Sequence, residues 1–216
     1  MVAPSGVSMD IPLVTLVDDD AHVRDAMSNL LNSVGIECVA YSSARELLAS
    51  ARPDRVGCLV LDVRMPGLSG LDLQQALAKK GISTPIIFLT AHGDIAMSVE
   101  AMKAGASDFL TKPVRDQTFL DAISRAIEAD LAQRRIAAVS KDAVDQYRSL
   151  TSRERQVLRG VVAGSLNKQI AFELGISEVT VKLHRSNMMK KMRASSFTQL
   201  FNYWQSLPQD LRDADE

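Results

Sequence analysis

Short apolar runs alternate with stretches of helical period through the first 130 residues of the chain. Leu13 to Val17 is such a run, ending in Asp18, Asp19 and Asp20, and it has the composition of a strand buried on both faces of a parallel sheet. Val23, Met27, Leu30, Leu31 and Val34 then recur at helical spacing, and Gly35 closes that helix. The same logic predicts a second strand over 37–41, a helix over 43–50 capped by Ser42 or Ser43, and a third strand over 58–62. It continues with a helix over 71–80 ending at Gly81, a strand over 85–90, a helix over 95–104 with Gly105 at its end, a strand over 108–111 and a long helix from Asp116. Five strands, each followed by a helix, imply an α/β doubly wound, parallel five-stranded sheet. Leu59 to Asp62 is the stretch around which this half is organised, because Pro66 and Gly67 break regular structure just beyond and leave Asp62 at the carboxyl edge of the sheet, where open α/β folds bind ligands.

From residue 131 the pattern changes. Ile136, Val139, Ala143 and Tyr147 recur at helical spacing with no Gly or Pro between 131 and 149, so the last helix of the first half is expected to run on into a helical linker. Thr151 and Glu154 have the spacing of a capping box ahead of Val157, Leu158, Val161 and Val162. Asn167 is then expected to cap a short helix through Leu174, Gly175 to make a turn, and Ser177 to cap a third helix from Glu178. Two helices joined across Gly175, Ile176 and Ser177, with small Ala171 at their crossing, have helix-turn-helix geometry, so an all-α domain follows the α/β one. In the third helix Val181, His184, Met188 and Met192 make the inward stripe, while Lys182, Leu183, Arg185, Ser186 and Lys190 point outward as a basic face with an apolar spot suited to a major groove.

Charge sharpens the division. The net charge is only -1, yet residues 148–216 carry eleven Lys and Arg against seven Asp and Glu, leaving fourteen against nineteen in 1–147. An acidic first half and a basic second half imply two domains with different partners. The expected boundaries are a loose tail over 1–9, an α/β domain over 10–130, a linker over 131–147, the helix-turn-helix domain over 148–207 and an acidic tail over 208–216. Cys38 and Cys58 lie in apolar strand-like segments without metal-ligand spacing, which fits a reduced, cytoplasmic protein, and His22, His92 and His184 are too scattered for a metal site. No apolar stretch approaches the roughly 20 residues of a membrane helix, so no membrane partner is expected.

At the sheet edge, Asp18 and Asp19 follow strand one, Asp62 ends strand three, Thr90 ends strand four and Lys112 follows strand five. Three crowded carboxylates raise one another's pKa unless a cation neutralises them, and hard oxygen ligands suit Mg²⁺. A carboxylate beside Mg²⁺, an ammonium and a hydroxyl has what phosphoryl transfer to an aspartate requires. Singly, Thr90 reads as a strand residue, Phe109 as core, Lys112 as a solvated charge and Asp20 as a helix cap; their joint order is what carries the chemistry.

Asp18-Asp19, Asp62, Thr90-Ala91 and Phe109 with Lys112-Pro113 resemble, in that order and on those elements, the receiver domain of two-component response regulators, a flavodoxin-like fold. The stretch from His92 through Ala106 resembles the FixJ subgroup. Asn167 to Ala171, Thr180 to Lys182 and His184-Arg185 resemble the LuxR/NarL helix-turn-helix domain. The resemblance implies that Asp62 is the phosphoacceptor, that Asp19, Asp62 and the Arg64 carbonyl hold Mg²⁺ directly with Asp18 acting through a water, and that Thr90, Phe109 and Lys112 form the phosphoryl contact and switch. It also implies a cis Lys112–Pro113 bond, and leaves Arg64 and His92 as residues that tune dephosphorylation or simply face solvent. On the second domain it implies base contacts from Lys182, Leu183 and Ser186, backbone contacts from Lys168, Arg185, Lys190, Lys191 and Arg193, and a DNA-binding role for Thr180. Implied partners are a sensor histidine kinase, double-stranded DNA, a second copy on phosphorylation, with RNA polymerase left open. The helix through Phe197, Leu200, Phe201, Trp204 and Leu207 corresponds to an element through which that family often dimerises, or packs only within its bundle. Two rivals stand beside a response-regulator transcription factor: a constitutive DNA-binding regulator whose receiver only dimerises, and an aspartyl-phosphate phosphohydrolase. The dehalogenase-type hydrolases place a second Asp two residues after the nucleophile, where this chain has Arg64.

Overall fold

The computed structural model describes residues 11–50, 55–91 and 93–213, so His92 and the expected N-terminal tail lie outside the described residues. The chain divides into two compact units, residues 1–133 and 134–216.

The first unit holds β1 (Leu13–Val17), α1 (Ala21–Ser33), β2 (Glu37–Tyr41), α2 (Ala44–Ala49), β3 (Gly57–Leu61), α3 (Gly70–Lys79), β4 (Ile86–Thr90), α4 (Ile95–Lys103) and β5 (Asp108–Thr111). The strands pair in parallel in the order β2-β1-β3-β4-β5. Every residue of β1, β3 and β4 is buried, as expected for strands with helices on both faces. The period of two then sorts the side chains. Val17, Leu59, Leu61 and Phe88 pack with Leu47, Leu73 and Leu77 of α2 and α3. On the other face Val14, Leu16, Val60, Ile87 and Leu89 pack with Leu31 of α1 and with Phe119, Ile123 and Ile127 of α5 (Asp116–Arg148).

Local chemistry places the helix starts. Asp20 accepts the His22 N–H at 2.8 Å, and the Ser69 hydroxyl accepts the Asp72 N–H at 3.1 Å. Of the two serines proposed to cap α2, Ser43 is the N-cap, while Ser42 donates its N–H and hydroxyl to the Glu46 carboxylate at 2.7 and 2.8 Å. At the opposite edge of the sheet from Asp62, the buried carboxylate of Asp130 accepts the Gly57 N–H at 3.0 Å and ties α5 to the start of β3. A Cβ at position 57 would fall 1.9 Å from the Leu13 carbonyl, so this junction requires glycine.

The second unit begins within α5 and continues through α6 (Ser152–Val162), α7 (Asn167–Leu174), α8 (Glu178–Lys191), α9 (Phe197–Ser206) and α10 (Gln209–Asp213). Its core joins Val157, Leu158, Val161, Ile170, Val181, Met188, Met192 and Leu200 to Ala143 and Tyr147 of α5. Residues 131–147 are therefore helical, and their last turns are core of the second unit beyond any linking role. Residues 209–213 form a helical turn whose Leu211 packs on the same core, where an acidic tail was expected. Gly175 closes α7 in the left-handed region at φ 63°, which a side chain disfavours. Among the described residues no helix is long and apolar enough to cross a membrane.

Candidate functional site

Asp62 stands one residue past the end of β3, and its N–H is held by the Val17 carbonyl at 2.8 Å. That bond carries the register of β1 and β3 one step beyond the strands, bringing the Asp18–Asp19 turn alongside Asp62. Carboxylate oxygens of Asp18, Asp19 and Asp62 lie within 4.8 Å of one another, with Asp18 and Asp62 buried and Asp19 exposed. Lys112 follows β5; its N–H is held by the Thr90 carbonyl at 2.8 Å, and its peptide bond to Pro113 is cis. Its ammonium donates to Asp18 Oδ2 and lies 3.5 Å from Asp62 Oδ2. Thr90 is fully buried at the end of β4.

Burial pushes the Asp18 carboxyl above the ordinary carboxylate range, even though the Lys112 ammonium and the Asp20 N–H both favour its charged form. Crowding by neighbouring carboxylates was the expected cause. The physical order differs, because desolvation leads and the repulsion from Asp62 is the smallest contribution. Lys112 supplies part of the neutralising charge from within the chain.

Phe109, on the edge strand β5, is half-buried with its ring centroid 6.1 Å from that of Phe88. A Cβ at Gly93 would come within 2.8 Å of the Phe109 ring, so the loop from β4 to α4 lies directly against it. Arg64 is exposed, and its N–H reaches Asp62 Oδ1 at a long 3.4 Å. The sequence pattern passed over Arg24, whose guanidinium donates to the Asp18 carbonyl at 2.7 Å and clamps the acidic turn; a cation one helical turn after Asp20 is the signal that could have found it.

In the second unit, α8 and its C-cap turn Val181, Met188 and Met192 into the core and leave Lys182, Leu183, Ser186 and Lys190 exposed; Lys168 and Arg193 are exposed as well. Three of the proposed DNA contacts are engaged inside the domain. The Thr180 and Ser177 hydroxyls lie 2.8 Å apart, and Arg185 donates to the Asn167 side chain at 3.1 Å. Asn167 therefore ties α7 to α8 and does not cap α7, whose leading N–H, that of Leu166, is met by the Gln169 side chain at 2.7 Å. Lys191 donates to the buried Glu154 carboxylate at 2.7 Å, so its charge is also engaged in an internal pair.

Burial alone would raise Glu154, but the hydrogen bonds from Lys191 and from the N–H and hydroxyl of Thr151 outweigh it and hold the carboxyl below its usual 4.5. A depressed carboxylate adds stability above its unfolded pKa and loses it as pH falls through the folded one. Lys191→Ala is expected to cost on the order of 1–2 kcal/mol at neutral pH, less than the 3–5 of a fully buried pair because the lysine is half-exposed. Its deficit is expected to shrink as pH falls below about 4.5, where the wild-type pair is itself lost. The chain's single Trp, Trp204, packs on this core, so urea unfolding followed by its fluorescence reads this unit. A deficit independent of pH would show that the pair contributes nothing.

Comparison with known proteins agrees with both units. Residues 14–124 match the response regulator receiver domain, and residues 148–204 match the bacterial regulatory proteins of the luxR family. The chain is 50% identical over 195 residues to Nodulation protein W of Bradyrhizobium diazoefficiens, covering 90% of this chain and 86% of that protein. It is 44% identical over 187 residues to the transcriptional regulatory protein FixJ of Rhizobium meliloti, covering 87% and 92%. The solved structure of the response regulator StyR superimposes with a TM-score of 0.82 at 46% identity, covering 90% of this chain and 98% of that one. Receiver sheet, acidic edge and luxR-type helical unit together place the chain in the response regulator family, as a transcription regulator in which a receiver domain is joined to a LuxR-type DNA-binding domain.

Proposed function

We propose that Asp62 is the phosphoacceptor of this regulator, and that its phosphorylation by a sensor histidine kinase in the cytoplasm promotes pairing of two copies and specific binding to double-stranded DNA. The observation that carries the reading is the convergence of Asp18, Asp19, Asp62 and Lys112 at the carboxyl edge of the sheet. Three carboxylates within 4.8 Å of one another are a hard oxygen donor set of the kind Mg²⁺ takes, so the residues fit that ion. Asp19, Asp62 and the Arg64 carbonyl would hold it, with Asp18 behind them. Bound there, Mg²⁺ would neutralise charge on the phosphoryl oxygens.

The chain's own residues do the rest. A carboxylate oxygen of Asp62 attacks phosphorus as the phosphorus–nitrogen bond of the donor phosphohistidine breaks. The Lys112 ammonium, already between Asp18 and Asp62, swings onto the new phosphoryl group, and the Thr90 hydroxyl takes another of its oxygens. Phe109 follows Thr90, which alters the α4–β5 face. Stoichiometric labelling without turnover of phosphomonoesters is the behaviour this site supports, since Arg64 stands where a hydrolase of this chemistry needs its second carboxylate.

On the DNA side, α8 is proposed to enter the major groove with Lys182, Leu183 and Ser186 toward base edges and Lys168, Lys190 and Arg193 toward phosphates. Lys182→Ala is expected to weaken specific binding by about 1–3 kcal/mol and relax one base position. Lys190→Ala is expected to weaken all sequences alike and reduce the salt slope. Footprinting and salt titration with and without beryllofluoride read both. Unchanged affinity of both variants for every sequence would remove α8 from the groove.

A further inference from the structure

Val179 is 76% exposed and Leu183 is 59% exposed, one turn apart on α8. With Lys182, Ser186 and Lys190 they occupy positions i, i+3, i+4, i+7 and i+11, a single face of the helix opposite the buried Val181, Met188 and Met192. Val179 lies on the stripe assigned to base contacts. Nothing local favours valine there. It is β-branched, a poor helix former at an exposed position, and most of its surface stays uncovered within its own domain.

An apolar pair set into a cationic, groove-facing stripe has one natural counterpart on DNA. Among the groups that base pairs present in the major groove, the apolar one is the C5-methyl of thymine. We propose that Val179 and Leu183 form a methyl-reading pair, so that each half-site requires thymine at two positions. The inference rests on the placement of α8 in the major groove. Four residues of helix rise by about 6 Å and base pairs stack at about 3.4 Å, so the two thymines stand roughly two base-pair steps apart. Lys182, between the two apolar residues on the same face, then reads the intervening base edge. The stiff χ1 of Val179 narrows the positions its methyls reach, which favours one register on the groove.

Deoxyuridine tests this directly, because it removes the thymine methyl and leaves the pairing edge unchanged. An operator is selected from random-sequence DNA with the full-length protein activated by beryllofluoride and Mg²⁺, and each thymine is replaced in turn. Two positions per half-site, about two steps apart, are expected to lose about fourfold in affinity each, the worth of one buried methyl. Val179→Ala is expected to show the same loss on the thymine operator and no further loss from deoxyuridine at one of those positions. Leu183→Ala is expected to behave likewise at the other. Both side chains are exposed and alanine favours helix, so folding is preserved. If the Val179→Ala and deoxyuridine losses multiply at every position, or no thymine responds, the methyl reading is wrong. If Lys182→Ala loses specific affinity while Val179→Ala binds as wild type, α8 stays in the groove and the pair is overturned alone. If Lys182→Ala also binds as wild type, the groove placement itself falls.

Discussion

Acetyl phosphate with Mg²⁺ is expected to label the protein once, and Asp62→Asn to abolish that label completely. Of the three clustered carboxylates, Asp18 and Asp62 are the buried pair, and their surroundings separate them. Asp18 is committed: Oδ2 accepts from Lys112, Oδ1 accepts the Asp20 N–H at 3.0 Å, and its carbonyl accepts from Arg24. Asp62 is more loosely tied, with Oδ1 at 3.4 Å from the Arg64 N–H and Oδ2 at 3.5 Å from the Lys112 ammonium. It sits at the lip of the sheet with a small exposed fraction of 8%. A group that must attack phosphorus needs both that reach and that freedom. Intact-mass measurement before and after acetyl phosphate counts the phosphoryl groups, and a label persisting in Asp62→Asn would move the nucleophile to another residue. Lys112→Ala is expected to accept the label yet fail to convert it into operator affinity, because in the proposed reading the lysine contact is the switch while the Asp62–phosphorus bond is the chemistry.

How far these features are legible in the residues themselves depends on their range. Leu13 to Val17 and Gly57 to Leu61 are buried on both faces, a local property written as continuous apolar runs. The capping box of Thr151 and Glu154 is equally local, and both of its hydrogen bonds are present. What the pattern left unread depended on distant partners. Asn167 has the chemistry of a cap, but Arg185, 18 residues away, takes its side-chain oxygen. Lys191 has the chemistry of a phosphate contact, but Glu154, 37 residues away, holds it. Ala143 and Tyr147 have helical spacing, yet only the bundle they join shows that they are core. Asp130 is one carboxylate among many on a long helix until the sheet brings Gly57 to it. Period and capping act over one or two turns, whereas these four contacts follow from the packed fold.

Activation by beryllofluoride is expected to turn the full-length protein from monomer to dimer and to raise operator affinity by about 10²–10⁴. A helix-turn-helix unit reads few base pairs, so useful specificity needs two copies, which a two-fold dimer would set on inverted half-sites about 10 bp apart or a multiple. The receiver offers a surface for that pairing. Ile95 is 84% exposed, Val99 45% and Met102 47%, at i, i+4 and i+7 along α4, and β5 beside them is an edge strand. This face is wired to the acidic site by short links. Lys112 follows β5 directly and is held by the Thr90 carbonyl, while the Gly93 backbone presses on Phe109. Movement of Thr90 and Lys112 toward a phosphoryl group is therefore expected to shift the start of α4 and the Phe109 ring together. Once two receivers pair, the second DNA contact becomes intramolecular, and affinity rises with no new contact to a base. Analytical ultracentrifugation with and without beryllofluoride reads the pairing, beside a fragment beginning at Arg134, where the second unit starts. Starting that fragment at 148 would remove Ala143 and Tyr147 from its core. Ile95→Glu is expected to keep the label on Asp62 and lose both the dimer and the gain in affinity. A full-length protein that stays monomeric when activated, yet rises to the affinity of the free fragment, would replace pairing with release of an inhibited DNA-binding domain.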